Sequence, residues 1–133
     1  MFYMQTIVDF GLVVLICIVQ LIIYPAFHSI RESSFTDWHN GYTKQIGFLV
    51  IPLMLAQLGI SSYTSLAFPS WFSITHTALV LGVWLHTFWV AVPIHQRLHK
   101  AKNAELIDQL TRVNWARTLL WICVFVLDII WWL

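Results

Sequence analysis

Four runs of apolar residues, each long enough to cross a bilayer as a helix, constrain this chain more than any other feature. They cover about residues 6–27, 42–66, 71–94 and 113–133, and a crossing takes about 20 helical residues. Only Ala67-Phe68-Pro69-Ser70 separates the second run from the third. The runs are apolar on all sides and longer than the ~10-residue alternating segments of a membrane barrel. Charged residues make up 10% of the 133 and hydrophobic ones 59%, whereas soluble domains carry about 25% charge. A soluble fold of this length could not bury so much apolar surface. The chain therefore reads as one domain, residues 1–133: an all-α integral membrane protein built as a bundle of four transmembrane helices.

Charge sets the expected orientation. Arg31 lies between the first two spans with Lys44 at the end of that connection, and Arg97, Lys100, Lys102, Arg112 and Arg117 lie between or just inside the last two. The two chain ends and the 61–70 turn carry no Lys or Arg. The positive-inside rule then places both longer connections in the cytoplasm and both termini outside. Trp71, Trp131 and Trp132 fall where an outer aromatic belt belongs. The opening Met1-Phe2-Tyr3-Met4-Gln5 has no basic segment, and no small-x-small cleavage site follows. The first span is thus expected to be a retained helix rather than a signal peptide. Asn103 suits an N-cap and Glu105 a first helical turn, while Leu106, Ile107, Leu110 and Val113 share one face. These residues predict an amphipathic cytoplasmic extension running into the fourth span. The 35–41 stretch is ambiguous.

Cys17 and Cys123 lie in apolar stretches and read as small buried hydrophobes, not a redox pair or metal site. A net charge of +1 gives no reason to expect nucleic acid. Spans one and three both end near a proline followed by histidine, Pro25-Ala-Phe-His28 and Pro93-Ile-His95. Little else aligns at that offset of 68.

The polar residues supply the candidate sites. His28, His39, His95 and His99 fall near the expected cytoplasmic boundary. Imidazole ligates metals and haem, so a metal, haem or quinone site is one reading. The plainer one is that histidine tolerates the interface, and no HExxH or Cys/His zinc spacing argues otherwise. His86 lies deep in span three, where an ionisable group is costly and a functional candidate. Its plainer role is a neutral ring bonded to a neighbouring helix. His76 lies nearer the outer surface. Asp9 and Asp128 sit just inside the outer ends of spans one and four without a basic partner. They could handle protons, meet a partner subunit, or simply reach water. Asn114, Arg117, Thr118 and Trp121 form a stripe at i, i+3, i+4 and i+7. It reads as a headgroup or anion site, or as a topology anchor with interhelical hydrogen bonds, Arg117 snorkelling or meeting Glu32 or Asp37.

Several of these residues also form a longer pattern: Val19-Gln20, Tyr24-Pro25-Ala-Phe27, Pro52-Leu-Met54, Thr87-Phe88, Val92-Pro93-Ile-His95 and Asn114-Trp115-Ala-Arg117-Thr118 with Trp121. In this pattern the chain resembles a family of small, uncharacterised bacterial four-span membrane proteins. The resemblance implies no activity. The chain departs from the family at Ile23, where a histidine often stands, and at Gln57, where a glutamate often stands. That departure implies a structural role.

The leading expectation is an accessory, structural or assembly subunit of a larger membrane complex in a bacterial inner membrane, contacting lipid and other membrane subunits or itself. No cofactor and no metal is expected, and whether the chain is an enzyme stays open. The alternatives are a small membrane enzyme or redox protein with a histidine-based metal, haem or quinone site, and a small oligomeric transporter.

Overall fold

A computed structural model describes residues 2–133, though not the side chains of Phe2 and Trp132. The Trp132 part of the expected aromatic belt therefore lies outside the described residues. Four long helical rods make up the fold: α1, Tyr3–Ser29; α2, Glu32–Ala67; α3, Trp71–Leu98; and α4, Ala104–Trp132. All four are long and apolar enough to cross a membrane. There is no strand among the described residues. Each rod outruns its apolar run in the sequence. The 36 residues of α2 span roughly 54 Å at 1.5 Å per residue, well beyond a ~30 Å hydrocarbon core. Its first turns are the ambiguous 35–41 stretch, which is helical. They carry Phe35 and His39 into the bundle.

Local chemistry explains the helix ends. The Ser70 and Ser73 side chains cap each other's backbone N–H at 3.1 and 2.9 Å, so α3 starts one residue after Ser70. The Asn103 side chain accepts the Leu106 N–H at 2.9 Å and starts α4 as expected. Leu106, Ile107 and Leu110 turn inward from the same stretch.

Two prolines reshape α1 and α3 in the same way. A proline inside a helix lacks an N–H and crowds the carbonyl four residues before it. Here the turn ahead of each proline widens. Val19–Ile23 and Thr87–Ala91 are π-helical, ending two residues before Pro25 and Pro93. The Tyr24 N–H bonds the Val19 carbonyl, and the Val92 N–H bonds the Thr87 carbonyl, five residues back in each case. The Pro–His echo at offset 68 is thus an echo in backbone form. α2 instead passes through Pro52 without changing helix type.

The chain ends and the 68–70 turn lie at one end of the bundle, which we call the terminal end. Gln5 of α1 meets Asp128 of α4 there, and Ser65 of α2 meets Ser73 of α3. The 30–31 and 99–103 connections lie at the other end, the histidine end, where the Lys102 ammonium donates to the His28 carbonyl at 2.8 Å and to that of Ile30. The two cysteines are free: Cys17 is half-buried and Cys123 exposed. The expected burial is corrected for Cys123, which faces outward, and is met only in part by Cys17.

Candidate functional site

Polar side chains are buried in three groups along the bundle. The first lies at the histidine end. The π turns of α1 and α3 aim Tyr24 and His95 at each other, with the Tyr24 hydroxyl 3.0 Å from His95 Nε2. His95 Nδ1 lies 3.0 Å from His39 Nε2 of α2, and the rings stack with centroids 5.2 Å apart. The Arg117 guanidinium of α4 reaches the Tyr24 oxygen at 3.4 Å. His99 sits one turn beyond His95, its Nε2 3.3 Å from the Thr43 hydroxyl.

The donors fix a direction along this chain. A guanidinium can only donate, so the Tyr24 oxygen accepts from Arg117 and its own proton is free for His95 Nε2. His95 then carries its proton on Nδ1 and donates to His39 Nε2. That leaves the His39 N–H on Nδ1. His39 is fully buried, and its Nδ1 has no partner. Rings of Phe27, Phe35 and Tyr42 surround it at centroid distances of 5.4–6.4 Å.

A cavity of about 610 Å³ opens beside this group. Its walls are apolar side chains of α1, α2 and α3, among them Ile16, Val50, Met54 and Phe88. Gly47 of α2 leaves the wall thin, since a Cβ there would meet only Ile51 Cδ1 at 3.7 Å. The polar end of the cavity is Tyr24, His95, His99 and Arg117, with Trp121 beneath the guanidinium at 5.6 Å. Small-molecule sites have this size and this ratio of apolar wall to few polar groups.

Arg117 is the anomaly of the group. No carboxylate lies within 4.0 Å of it among the described residues. Its Nε is buried with no partner. The expected meeting with Glu32 or Asp37 does not occur. α2 carries both acids past the end of the cavity, and both are exposed.

The second group ties α1 to α4 at mid-bundle. Gln20 accepts from Asn114 Nδ2 at 2.7 Å and from the Thr118 hydroxyl at 3.5 Å, and donates to the Thr111 carbonyl at 3.0 Å. This is the interhelical hydrogen-bond set that the stripe of α4 foreshadowed. Its partner, Gln20, stood in the sequence only as part of the longer pattern, with no role attached.

The third group lies toward the terminal end, and every rod contributes to it. His76 Nε2 of α3 is 2.9 Å from Asp9 Oδ2 of α1 and 3.5 Å from Asp128 Oδ1 of α4. Gln57 Nε2 of α2 donates to Asp9 Oδ1 at 2.6 Å, and Trp121 Nε1 donates to Gln57 Oε1 at 3.2 Å. Ser61 Oγ lies 3.1 Å from His76 Nδ1. Asp9, His76 and Asp128 are 1–2% exposed. The reading in which the two aspartates reach water is corrected: both side chains turn inward, where His76 and two glutamines receive them.

The expected histidine set divides. His39, His95 and His99 converge. His28 does not join them; it is largely exposed and pairs with Asp108 at 2.8 Å. A ligand site shared by His28, His39 and His95, from three different segments, is not formed, because the end of α1 directs His28 away from α2 and toward Asp108 at the start of α4. His39 and His95 bond each other directly and do not face each other across a gap. His86 belongs to none of the three groups: it is half-buried with Nδ1 unpartnered, and its ring bonds the Val113 backbone of α4, the interhelical role expected of a neutral histidine. No family model, no curated protein and no solved structure matches the chain.

Proposed function

We propose that the chain is a multi-pass membrane protein that binds a lipid-soluble molecule with an oxyanion head, carboxylate or phosphate, and an apolar tail. The observation behind this reading is Arg117: a guanidinium at the end of a 610 Å³ apolar cavity with no carboxylate in reach. An ionised group in such surroundings costs several kcal/mol unless an opposite charge joins it. A head group bonded by Arg117 and His99 would supply that charge. The tail would lie along Ile16, Val50, Met54 and Phe88. The expectation of an accessory subunit rested on finding no convergent polar constellation in the sequence. The cavity moves the weight to ligand binding, in which the rods are the container.

The test is equilibrium binding to the purified full chain in detergent. The probes are a fluorescent fatty acid, and phosphatidic acid against phosphatidylcholine as competitors. A fatty-acid carboxylate and a phospholipid phosphate offer Arg117 the same chemistry, and the two probes separate them. Removing a charged hydrogen bond costs about 1.5–3 kcal/mol, so Arg117→Gln should weaken the preferred probe at least about tenfold. Gly47→Leu should block the tail while leaving Arg117 intact. Equal affinity in wild type and both variants would sink the proposal.

A further inference from the structure

The third polar group has no part in that ligand site, and its chemistry is different. It gathers two carboxylates and one imidazole in a region with no lysine or arginine: all seven basic residues lie elsewhere, from Arg31 to Arg117. The three ligand-type atoms lie within 4.8 Å of one another, and all three residues are buried. Two acids with no cation beside them are costly in an apolar bundle. Two buried oxygens at the group also lack any hydrogen-bond partner, Asp128 Oδ2 and Gln5 Oε1. Both are acceptors. What the group lacks is positive charge and not a further acceptor.

We propose that Asp9, His76 and Asp128 form a binding site for one divalent d-block cation of the zinc, manganese or iron class. Two carboxylates and a doubly charged ion sum to zero, which suits a low-dielectric interior. A mixed set of one nitrogen and two oxygens suits these ions better than the all-oxygen cages of calcium. The spacing already approaches what coordination needs. His76 Nε2 stands 2.9 Å from Asp9 Oδ2 and 3.5 Å from Asp128 Oδ1, and two ligands about 2.0–2.2 Å from a tetrahedral zinc ion lie roughly 3.3–3.6 Å apart.

The surrounding shell supports the assignment independently. A ligating histidine usually donates its other N–H to an oxygen, which fixes the tautomer. Ser61 Oγ stands 3.1 Å from His76 Nδ1, in position to accept that proton and leave Nε2 as a lone pair. Gln57 Nε2 holds Asp9 Oδ1 at 2.6 Å, which leaves Oδ2 for the ion, and Trp121 fixes Gln57 in turn. Gln5 Nε2 donates to Asp128 Oδ1 at 3.3 Å, the same oxygen that faces His76, and so fixes the carboxylate while leaving Oδ1 a further lone pair and Oδ2 unpartnered. Each carboxylate is thus oriented by a glutamine and keeps acceptor capacity for the ion.

The full chain purified in detergent tests this by metal analysis and by titration of the chelator-treated protein with Zn²⁺, Mn²⁺ and Co²⁺. The result expected is about one ion per chain, visible bands of low-symmetry Co²⁺, and a higher unfolding temperature on adding metal. His76→Asn and Asp128→Asn should abolish all three, and His28→Asn, at an exposed histidine outside both sites, should change none. Should the ligand variants fail to fold, Ser61→Ala keeps every ligand and should weaken the metal about 10–100-fold. No bound metal after purification, together with no Co²⁺ bands and no thermal shift on titration, would overturn the site and leave a proton-sharing pair of carboxyls. The oxyanion-binding assay of the other cluster is a separate readout, so either proposal can fail alone.

Discussion

Gln20 shows how much a single buried side chain decides in this bundle. It is 2% exposed and bonds three positions of α4: Thr111, Asn114 and Thr118. Interhelical hydrogen bonds between apolar helices are worth about 0.6–2 kcal/mol. Gln20→Leu removes those bonds and leaves Asn114 Nδ2 buried and unpaired. The expected cost is about 1–2 kcal/mol, read as unfolding in mixed micelles. Asn114→Leu should cost a similar amount. The double variant should cost clearly less than the two single losses added, since residues of one network couple. Additive losses would show that the two side chains do not act as a pair. Asn114 was visible in the sequence because it breaks an apolar run near Arg117, and Thr118 and Trp121 stood out with it. Tyr42 did not, and Gln20 and Tyr24 appeared only within the longer pattern, because no helical spacing ties any of the three to a partner. The same limit applies to Asp9, His76 and Asp128. Sequence places each at a depth near one end of a span, but says nothing of its direction around the helix. In rods that are apolar on every side, direction is set by packing alone. That is why the aspartates could be read as facing water when the fold buries them. It is also why His28 and His39 looked equivalent when only His39 turns inward.

At the scale of elements, the four helices were legible because nothing competes with a long apolar run for its secondary structure. Their lengths were not. Residues 32–41 and 95–98 are polar enough to read as loop, yet each continues a helix nucleated by the span beside it. The π turns were invisible too, although the prolines that accompany them were not. These turns matter for the site. Each adds one residue to a helical turn, and one residue is a rotation of about 100° in an α-helix. Without it, the side chains beyond would face another way. Pro93→Ala restores an N–H and removes the ring that crowds the Trp89 carbonyl. The expected outcome is relaxation of 87–91 to α-helix, with His95 and His99 turned off Tyr24 and Thr43. Oxyanion binding should fall at least about tenfold while the unfolding free energy changes little. Retained affinity would show that packing, and not the proline, holds the π turn.

At the scale of the whole molecule, the strongest asymmetry is between the two ends. Arg31, Arg97, Lys100, Lys102 and Arg112 gather at the histidine end, where Lys102 bonds the connection between α1 and α2. Trp71 and Trp131 stand at the terminal end, 64% and 43% exposed, with Phe72 stacked on Trp131 at 4.5 Å. Loops rich in lysine and arginine are translocated poorly, so the prediction is that the basic end faces the cytoplasm. Because the rods pair side by side, the two basic connections must share a side whichever way the bundle inserts. Ser34 and Ala101 report on both, since each is exposed. Cysteines placed there singly, in a chain with Cys17 and Cys123 replaced by alanine, should react with a membrane-impermeant maleimide only after the cells are permeabilised. A cysteine at Pro69, in the turn at the opposite end, should react in intact cells. Labelling of Ser34→Cys from outside, with Pro69→Cys protected, would invert the orientation and place the Arg117 cavity toward the outer leaflet. Labelling of Ser34→Cys and Ala101→Cys from opposite sides would break the four-rod arrangement itself.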